Sequence, residues 1–301
     1  MATGKPHAAM TEIRDLKMLV ALSQYRHFSR SADACGISQP AFSARIRKME
    51  DGFSIPLVRR GNQFMGFTRE GEVVLKWARK LLADMDGMNQ EIASLSDNLG
   101  GRLVIGVIPT TLPFAARVSA NLRRLHPNLM VEILSLSTGQ IKAQLNDYSI
   151  DAGMIYFRDA EPGMAERLYD ESYVLIAPGE LAPRSSGTAT WSEAAALPLC
   201  LLTRDMRNRQ LVDDIFARIE RVPQVVMEAN AFTATLAQVA SGSAATIAPL
   251  SVAETFFTSD ALVRLPLVEP EVTHAIGLSV KDQDPILPVI GALRVAVRAS
   301  L

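Results

Sequence analysis

The sequence predicts an α/β protein with a helical head: a helix-turn-helix, then one long helix, then a doubly wound α/β body. Three observations carry this. Residues 28–50 read as two short helices around a tight turn. A stretch starting at residue 69 runs on without a proline or a turn and carries apolar side chains at heptad-like spacing. From Arg102 onward, apolar runs of strand length alternate with helix-length segments, which indicates a parallel, doubly wound architecture.

The elements follow in order. Residues 17–25 suit a helix with Leu16, Leu19, Val20 and Leu22 turned inward. Ser29 is placed to cap the next helix, in which Ala32, Ala34 and Cys35 are small packing positions. Gly36 ends it, since glycine accepts the left-handed geometry of a helix terminus, and Ile37 plugs the turn. Ser38 caps the following helix, with Pro40 in its first turn, where a missing N–H costs nothing. Phe42, Ile46 and Met49 give it an inner face, leaving Gln39, Ser43, Arg45, Arg47 and Lys48 pointing elsewhere. Amide, hydroxyl and guanidinium groups on a short outward helix suit the DNA major groove. The same geometry also occurs in proteins that touch no DNA, where a basic helix is only a solvated one.

Residues 59–66 suit a hairpin turning at Gly61-Asn62, which would bring Arg59 and Arg60 near phosphates or a minor groove. Thr68 caps a helix over 69–96, with Glu70 and Glu72 favourably placed in its first turn. Its stripe is Val74, Leu75, Ala78, Leu81, Leu82, Met85, Met88 and Ile92, which suits either packing on its own domain or pairing with a partner helix. Strands are expected at 103–107, 130–136, 152–156, 174–177, 198–202, 225–228, 245–248 and 274–280. Helices are expected at 112–126, 140–146, 206–219, 232–241 and 288–299.

The net charge of −1 conceals an asymmetry. Up to residue 70 there are 11 Lys and Arg against 6 Asp and Glu, so the head is basic and the remainder acidic. That fits nucleic-acid binding by the head alone. No apolar run approaches a membrane span, the N-terminus lacks the apolar core of a secretion signal, and two cysteines make no disulfide framework. A cytoplasmic setting is the simplest. Residues 1–10 are small and polar and are expected to be a disordered extension.

Catalytic chemistry is not in evidence. His7, His27, His126 and His274 have no metal-ligand spacing, and there is no phosphate loop, dinucleotide fingerprint or nucleophile elbow. Asp213-Asp214 reads as solvated surface, and Cys200 in an apolar strand reads as a buried structural thiol. Neither an enzyme, a cofactor nor a bound metal is expected.

Several blocks together resemble LysR-type transcriptional regulators. Phe28, Ser29, Ala32, Ser38, Gln39, Pro40, Ala41 and Ser43 match that family's recognition phrase, followed by Ile46, Met49 and Glu50. Pro56, Leu57, Val58, Arg60, Phe67, Thr68 and Gly71 match its wing. Where the family often has Arg after the recognition-helix Ser, this chain has Ala44 and then Arg45, so the resemblance does not fix the bases read. The resemblance implies a winged helix-turn-helix over 11–67 and a dimerisation linker helix over 68–98. It further implies a two-lobed, periplasmic-binding-protein-like effector domain over 99–301, with lobe I at 101–171 and 269–301 and lobe II at 172–268. The implied partners are double-stranded operator DNA, a small-molecule effector, a second or further copies of the chain in a dimer or tetramer, and RNA polymerase. Ser38, Gln39, Pro40, Ser43, Arg45, Arg47, Arg59 and Arg60 are the implied DNA-facing residues. Peroxide-sensing relatives carry two cysteines in the loop after the Cys200 strand, and here residues 203–210 have none.

In such a domain ligands enter at strand ends and helix starts. Four loops qualify: Thr110 and Thr111, Thr138 and Gly139, Thr203 and Arg204, and the helix start at Phe232. The first two open helices whose free N–H groups favour anions. Tyr156 ends the third strand, where some relatives place an Arg for a ligand carboxylate. Each Thr reads equally well as a plain helix cap. The function expected is DNA-binding regulation controlled by a polar or anionic effector between the lobes. The alternatives are a ligand-independent DNA-binding protein, or a binding protein or enzyme on the same α/β fold.

Overall fold

The computed structural model describes residues 11–301 apart from 61–62, 96–98, 161–162, 164, 185–186, 257–260 and 282–284. The expected disordered extension at 1–10, the turn at Gly61-Asn62 and the end of the long helix at Ser96 lie outside the described residues. The chain divides into two compact units, one holding residues up to Ile92 together with 147–149, the other holding the rest.

The first unit contains α1 (Ile13–Tyr25), α2 (Phe28–Ala34), α3 (Gln39–Phe53), the hairpin β1 (Val58–Arg60) and β2 (Phe64–Phe67), and most of α4 (Arg69–Ser94). Its core joins Met18, Leu19 and Leu22 to Phe42, Ile46 and Met49, closed by Leu57, Phe67, Leu75 and Ala78. Ser38 caps α3 as expected, its hydroxyl accepting from the Ala41 N–H at 3.4 Å. The cap of α2 differs from the expected Ser29. The helix starts at Phe28 with His27 at the N-cap, because the Phe28 ring is drawn inward to meet Phe42 and Phe64 edge-on, each at 6.1 Å. Thr68 caps α4 through the Gly71 N–H at 2.9 Å. Gly71 is required there: a Cβ would overlap the Leu57 carbonyl.

The apolar stripe of α4 splits over two faces. Leu75 and Ala78 are buried in the head, with Val74 and Leu82 packed beside them. A separate outward line consists of Val73, Trp77, Leu81, Met88 and Ile92. The sequence reading merged the two and omitted Val73 and Trp77.

The second unit is built on two half-sheets. The elements are β3 (Gly101–Val107), α5 (Leu112–Leu125), β4 (Leu129–Ser135), α6 (Thr138–Asn146), β5 (Ala152–Tyr156), β6 (Ala165–Pro178), β7 (Ala189–Thr190), α7 (Trp191–Ala195), β8 (Pro198–Leu202), α8 (Arg207–Arg218), β9 (Gln224–Ala229), α9 (Phe232–Ala240), β10 (Ala245–Pro249), α10 (Leu250–Phe256), β11 (Leu262–Val268), β12 (Thr273–Val280) and α11 (Pro288–Arg298). Strand order is β4-β3-β5-β12-β6-β10-β8-β9, with β11 bridging β6 and β7. β3, β4 and β5 run parallel in one lobe, and β8, β9 and β10 in the other. These parallel sets bear out the doubly wound expectation, while β12 and β11 run antiparallel to β6, so each half-sheet is mixed.

β6 is the structural pivot. Its first part, to Ser172, pairs with β12, and from Tyr173 on it pairs with β10 and β11. The sequence shows only its apolar end, 174–177; the polar Arg167, Asp170 and Glu171 hide the rest. In the first lobe α6 packs close to the sheet because Gly153 has no side chain; a Cβ there would lie 2.5 Å from Ile141. That packing sets the start of α6 beside the end of β5.

Candidate DNA interface and ligand pocket

In the head, Ser38, Gln39 and Pro40 are exposed at the start of α3, Ser43 is half-buried, and Arg47 is exposed further along. The Gln39 amide donates to the Ser43 hydroxyl at 3.1 Å, linking two of the expected base-contacting groups. Glu50, at the far end of α3, accepts from the backbone N–H groups of Leu57 and Val58 at 2.9 and 3.1 Å. It thereby ties the hairpin to the helix. Arg59 is exposed on β1, and the Arg60 side chain lies outside the described residues.

Arg45 departs from the expectation. Its Nε donates to Asp15 Oδ1 at 2.6 Å and its Nη2 to Glu12 Oε2 at 2.8 Å. Those bonds, first the one to Asp15, raise the guanidinium pKa further. Arg45 therefore clasps α3 to the start of α1 rather than presenting its fork outward. Asp15 is nearly buried, so removing its partner leaves a carboxylate without its charge complement. Arg45→Ala should destabilise the head by about 1–3 kcal/mol and lower affinity evenly across operator variants. Gln39→Ala should instead alter the ranking of those variants. Thermal melts and anisotropy titrations against an operator panel check this; a changed base preference in Arg45→Ala would return that residue to the base-reading set.

In the second unit, Thr110 and Thr138 come together with Tyr156 around a small pocket of about 10 Å³. Met206, Arg207 and Asn208 face them from the other lobe. The volume suits roughly one water molecule. The hydroxyls of Thr110, Thr138 and Thr203 are all buried without a hydrogen-bond partner. None of the three is a helix cap. Ser137 caps α6, exchanging bonds with Gln140, and Thr111 spends its hydroxyl on the Ile108 carbonyl at 3.0 Å. Buried unpaired hydroxyls are costly, so these three distinguish the strand ends from the rest of the polar interior. Thr203 itself lies beside the cavity, which its neighbour Leu202 lines.

Two other expected residues are placed elsewhere. Arg204 is largely exposed and reaches Glu228 at 3.5 Å, because the strand end turns its side chain along β9. Phe232 is buried in an apolar cluster with Val174, Leu202 and Val239. Gly139 is exposed at the first turn of α6.

Sequence reading missed the deepest polar group. Glu171 on β6 is buried, and Tyr156 donates its hydroxyl to Glu171 Oε1 at 2.9 Å. The Asn208 amide in turn donates to the Tyr156 oxygen at 3.1 Å, so the chain of bonds crosses from one lobe to the other. Glu171 Oε2 has no partner. Thr110 lies close enough to steady the carboxylate slightly but makes no bond of normal geometry with it. Burial pushes the carboxyl up to about 8, against which Tyr156 pulls the other way, so the group is mostly a neutral acid at neutral pH.

Both cysteines are free thiols, Cys35 half-buried in the head and Cys200 fully buried in β8. Burial raises both pKa values. Among the described residues no cluster of His, Cys, Asp and Glu is placed to hold a metal, and no helix is long and apolar enough to cross a membrane.

A head of two helices in helix-turn-helix order with a hairpin wing, followed by a two-lobed α/β body, is the architecture of a DNA-binding regulator. Residues 13–72 match the bacterial regulatory helix-turn-helix protein of the lysR family, and residues 96–301 match the LysR substrate binding domain. The chain belongs to the LysR family of DNA-binding transcriptional regulators, with a C-terminal domain of the effector-binding kind. It is similar to the DNA-binding transcriptional dual regulator OxyR of Escherichia coli K12, 29% identical over 301 residues and covering 96% of this chain and 95% of that one. Among solved structures, full-length OxyR from Pseudomonas aeruginosa with a cysteine-to-aspartate change has a TM-score of 0.77 at 22% identity, covering 96% of this chain and 95% of that one. Full-length CbnR bound to its target DNA has a TM-score of 0.70 at 21% identity, covering 97% and 100%.

Proposed function

We propose that this regulator is controlled by a small polar or anionic effector held between the lobes on Thr110, Thr138 and Thr203. The observation that carries the reading is the trio of buried, unpaired threonine hydroxyls at strand ends. Arg207 and Asn208, at the start of α8, offer further donors from the opposite lobe. The pocket measures only about 10 Å³, so a guest larger than water requires the residues on its two sides to readjust. Effector binding is thereby coupled to lobe geometry. The head binds an operator as a pair of copies, with Gln39, Pro40 and Ser43 toward bases and Arg47, Arg59 and Arg60 toward phosphates. The outward line on α4 supplies the contact of a homo-oligomer, a dimer or a tetramer, and RNA polymerase is the downstream partner.

Several relatives are named as hydrogen peroxide-inducible genes activators. The two cysteines do not suit thiol-based peroxide sensing. Cys35 is in the head, Cys200 is sealed in a strand, and both pKa values are raised, the opposite of a reactive thiolate.

A thermal-shift screen with small organic acids and neutral polar metabolites identifies the effector, since a true ligand raises the melting temperature by mass action. Thr138→Val should then weaken that ligand by about 0.5–3 kcal/mol in calorimetry while leaving ligand-free DNA binding intact. Unchanged affinity in the Val variants of Thr110, Thr138 and Thr203 alike would place the effector elsewhere.

A further inference from the structure

A second, larger cleft lies beyond Tyr156, with a volume of about 580 Å³. That is in the range of drug-sized ligand sites, roughly 300–1,000 Å³. Its walls come from three places: the turn Phe157–Asp159 after β5, the face of α8 that carries Arg207, Leu211 and Arg218, and the start of β12 around His274. Arg167 and Asp170 of β6 complete it.

The charges do not cancel. Arg207 is held by Asp159 at 2.9 Å, and Arg167 is held by both carboxylate oxygens of Asp170 at 2.6 and 2.7 Å. Arg158 and Arg218 line the same cleft, and among the described residues neither has a carboxylate partner. They stand on opposite lobes. Their field reaches His274, which is held below the usual imidazole range by burial first and then by Arg207, Arg158 and Arg218. The Tyr173 hydroxyl engages His274 Nδ1 at 3.1 Å, which leaves Nε2 as the free polar atom of the ring. Between the charged ends the wall is apolar, with Phe157, Leu211 and Val272.

We propose that this cleft is a second ligand site, distinct from the threonine pocket, that takes a small organic carboxylate with an apolar body. The carboxylate sits between Arg158 and Arg218, and the body lies against Phe157 and Leu211. Guanidinium groups recognise carboxylates through paired N–H donors, and two uncompensated ones facing a cavity give strong preference for an anion over its neutral isostere. Because the two arginines belong to different lobes, occupancy clamps the lobes together. Arg207 and Tyr156 border both cavities, so the second ligand acts on the walls of the first site.

The test uses phenylacetate and its uncharged analogue phenylacetamide as probes, by calorimetry on the full chain. Phenylacetate should bind, phenylacetamide should bind at least tenfold more weakly, and Arg158→Glu with Arg218→Glu should weaken phenylacetate at least tenfold. Thr138→Val should leave phenylacetate binding unchanged, which separates this site from the threonine pocket. Circular dichroism checks that the double variant is folded; if it is not, Arg158→Gln alone, on an exposed turn, serves in its place with at least a threefold loss. The proposal is overturned if phenylacetate produces no binding, if the amide binds equally well, if the arginine variants bind like the parent, or if Thr138→Val abolishes the signal.

Discussion

Glu171→Gln should remove a large part of the loss of stability that accompanies a rise in pH from about 4.5 to about 8. The Glu171 carboxyl is pushed up to about 8 by burial, against an ordinary value of 4.5. Between those two pH values the folded protein holds a proton that the unfolded chain has released. Stability contributed by the neutral acid is therefore complete below about pH 4.5, declines as pH rises, and is lost once pH passes about 8. Each pKa unit is worth about 1.4 kcal/mol, so the full swing is on the order of 5 kcal/mol. Gln keeps an acceptor for the Tyr156 hydroxyl and cannot ionise. Urea unfolding at pH 5 and pH 8.5 should show the variant gaining on the parent by that order between the two. A parent-variant difference that does not move with pH would mean that Glu171 is ionised throughout the range.

Trp77→Glu combined with Leu81→Glu should convert the protein to monomers. Trp77 and Leu81 are 58% and 49% exposed, in line with Val73, Met88 and Ile92, so they face away from the head. Leu75 and Ala78, which hold α4 to the head, are untouched, so the fold should survive. Removing two large apolar side chains from a helix seam costs about 4 kcal/mol or more, roughly a thousandfold in dimer affinity. Burying the new charges adds to that. Sedimentation would report it directly; an unchanged oligomeric mass with intact melting would assign the contact to another surface.

Much of this was legible in the sequence because local chemistry agrees with global structure there. Ser38, Pro40, Phe42, Ile46 and Met49 sit where cap preference and helical period put them. Thr110 and Thr138 were found because strand ends and helix starts are recognisable and hydroxyls there are few. Other features depended on tertiary contacts that no local pattern encodes. The cap of α2 moved to His27 because of a ring contact with residues far along the chain. Arg45 carries the same chemistry whether it faces a base or Asp15, and only the packing of α1 on α3 decides. Glu171 lies in a run of charged residues that reads as solvated, and its burial appears only in the tertiary structure, where the Tyr156 hydroxyl meets it and Asn208 meets Tyr156. β11 was missed since Pro266 interrupts its pattern, although it pairs along both β6 and β7.

The unbroken course of β6 sets how the body can move. Proteins whose lobes hang on slack loops swing open like jaws. Here one strand is knitted into both half-sheets from Ala165 to Pro178, with the change of partners at Ser172 and Tyr173. Wide opening would tear ladder hydrogen bonds on either side of that point, whereas rotation about the strand's own axis preserves them. If the proposed effector acts through the body, the strand that both lobes share favours a few degrees of twist between them over wide opening.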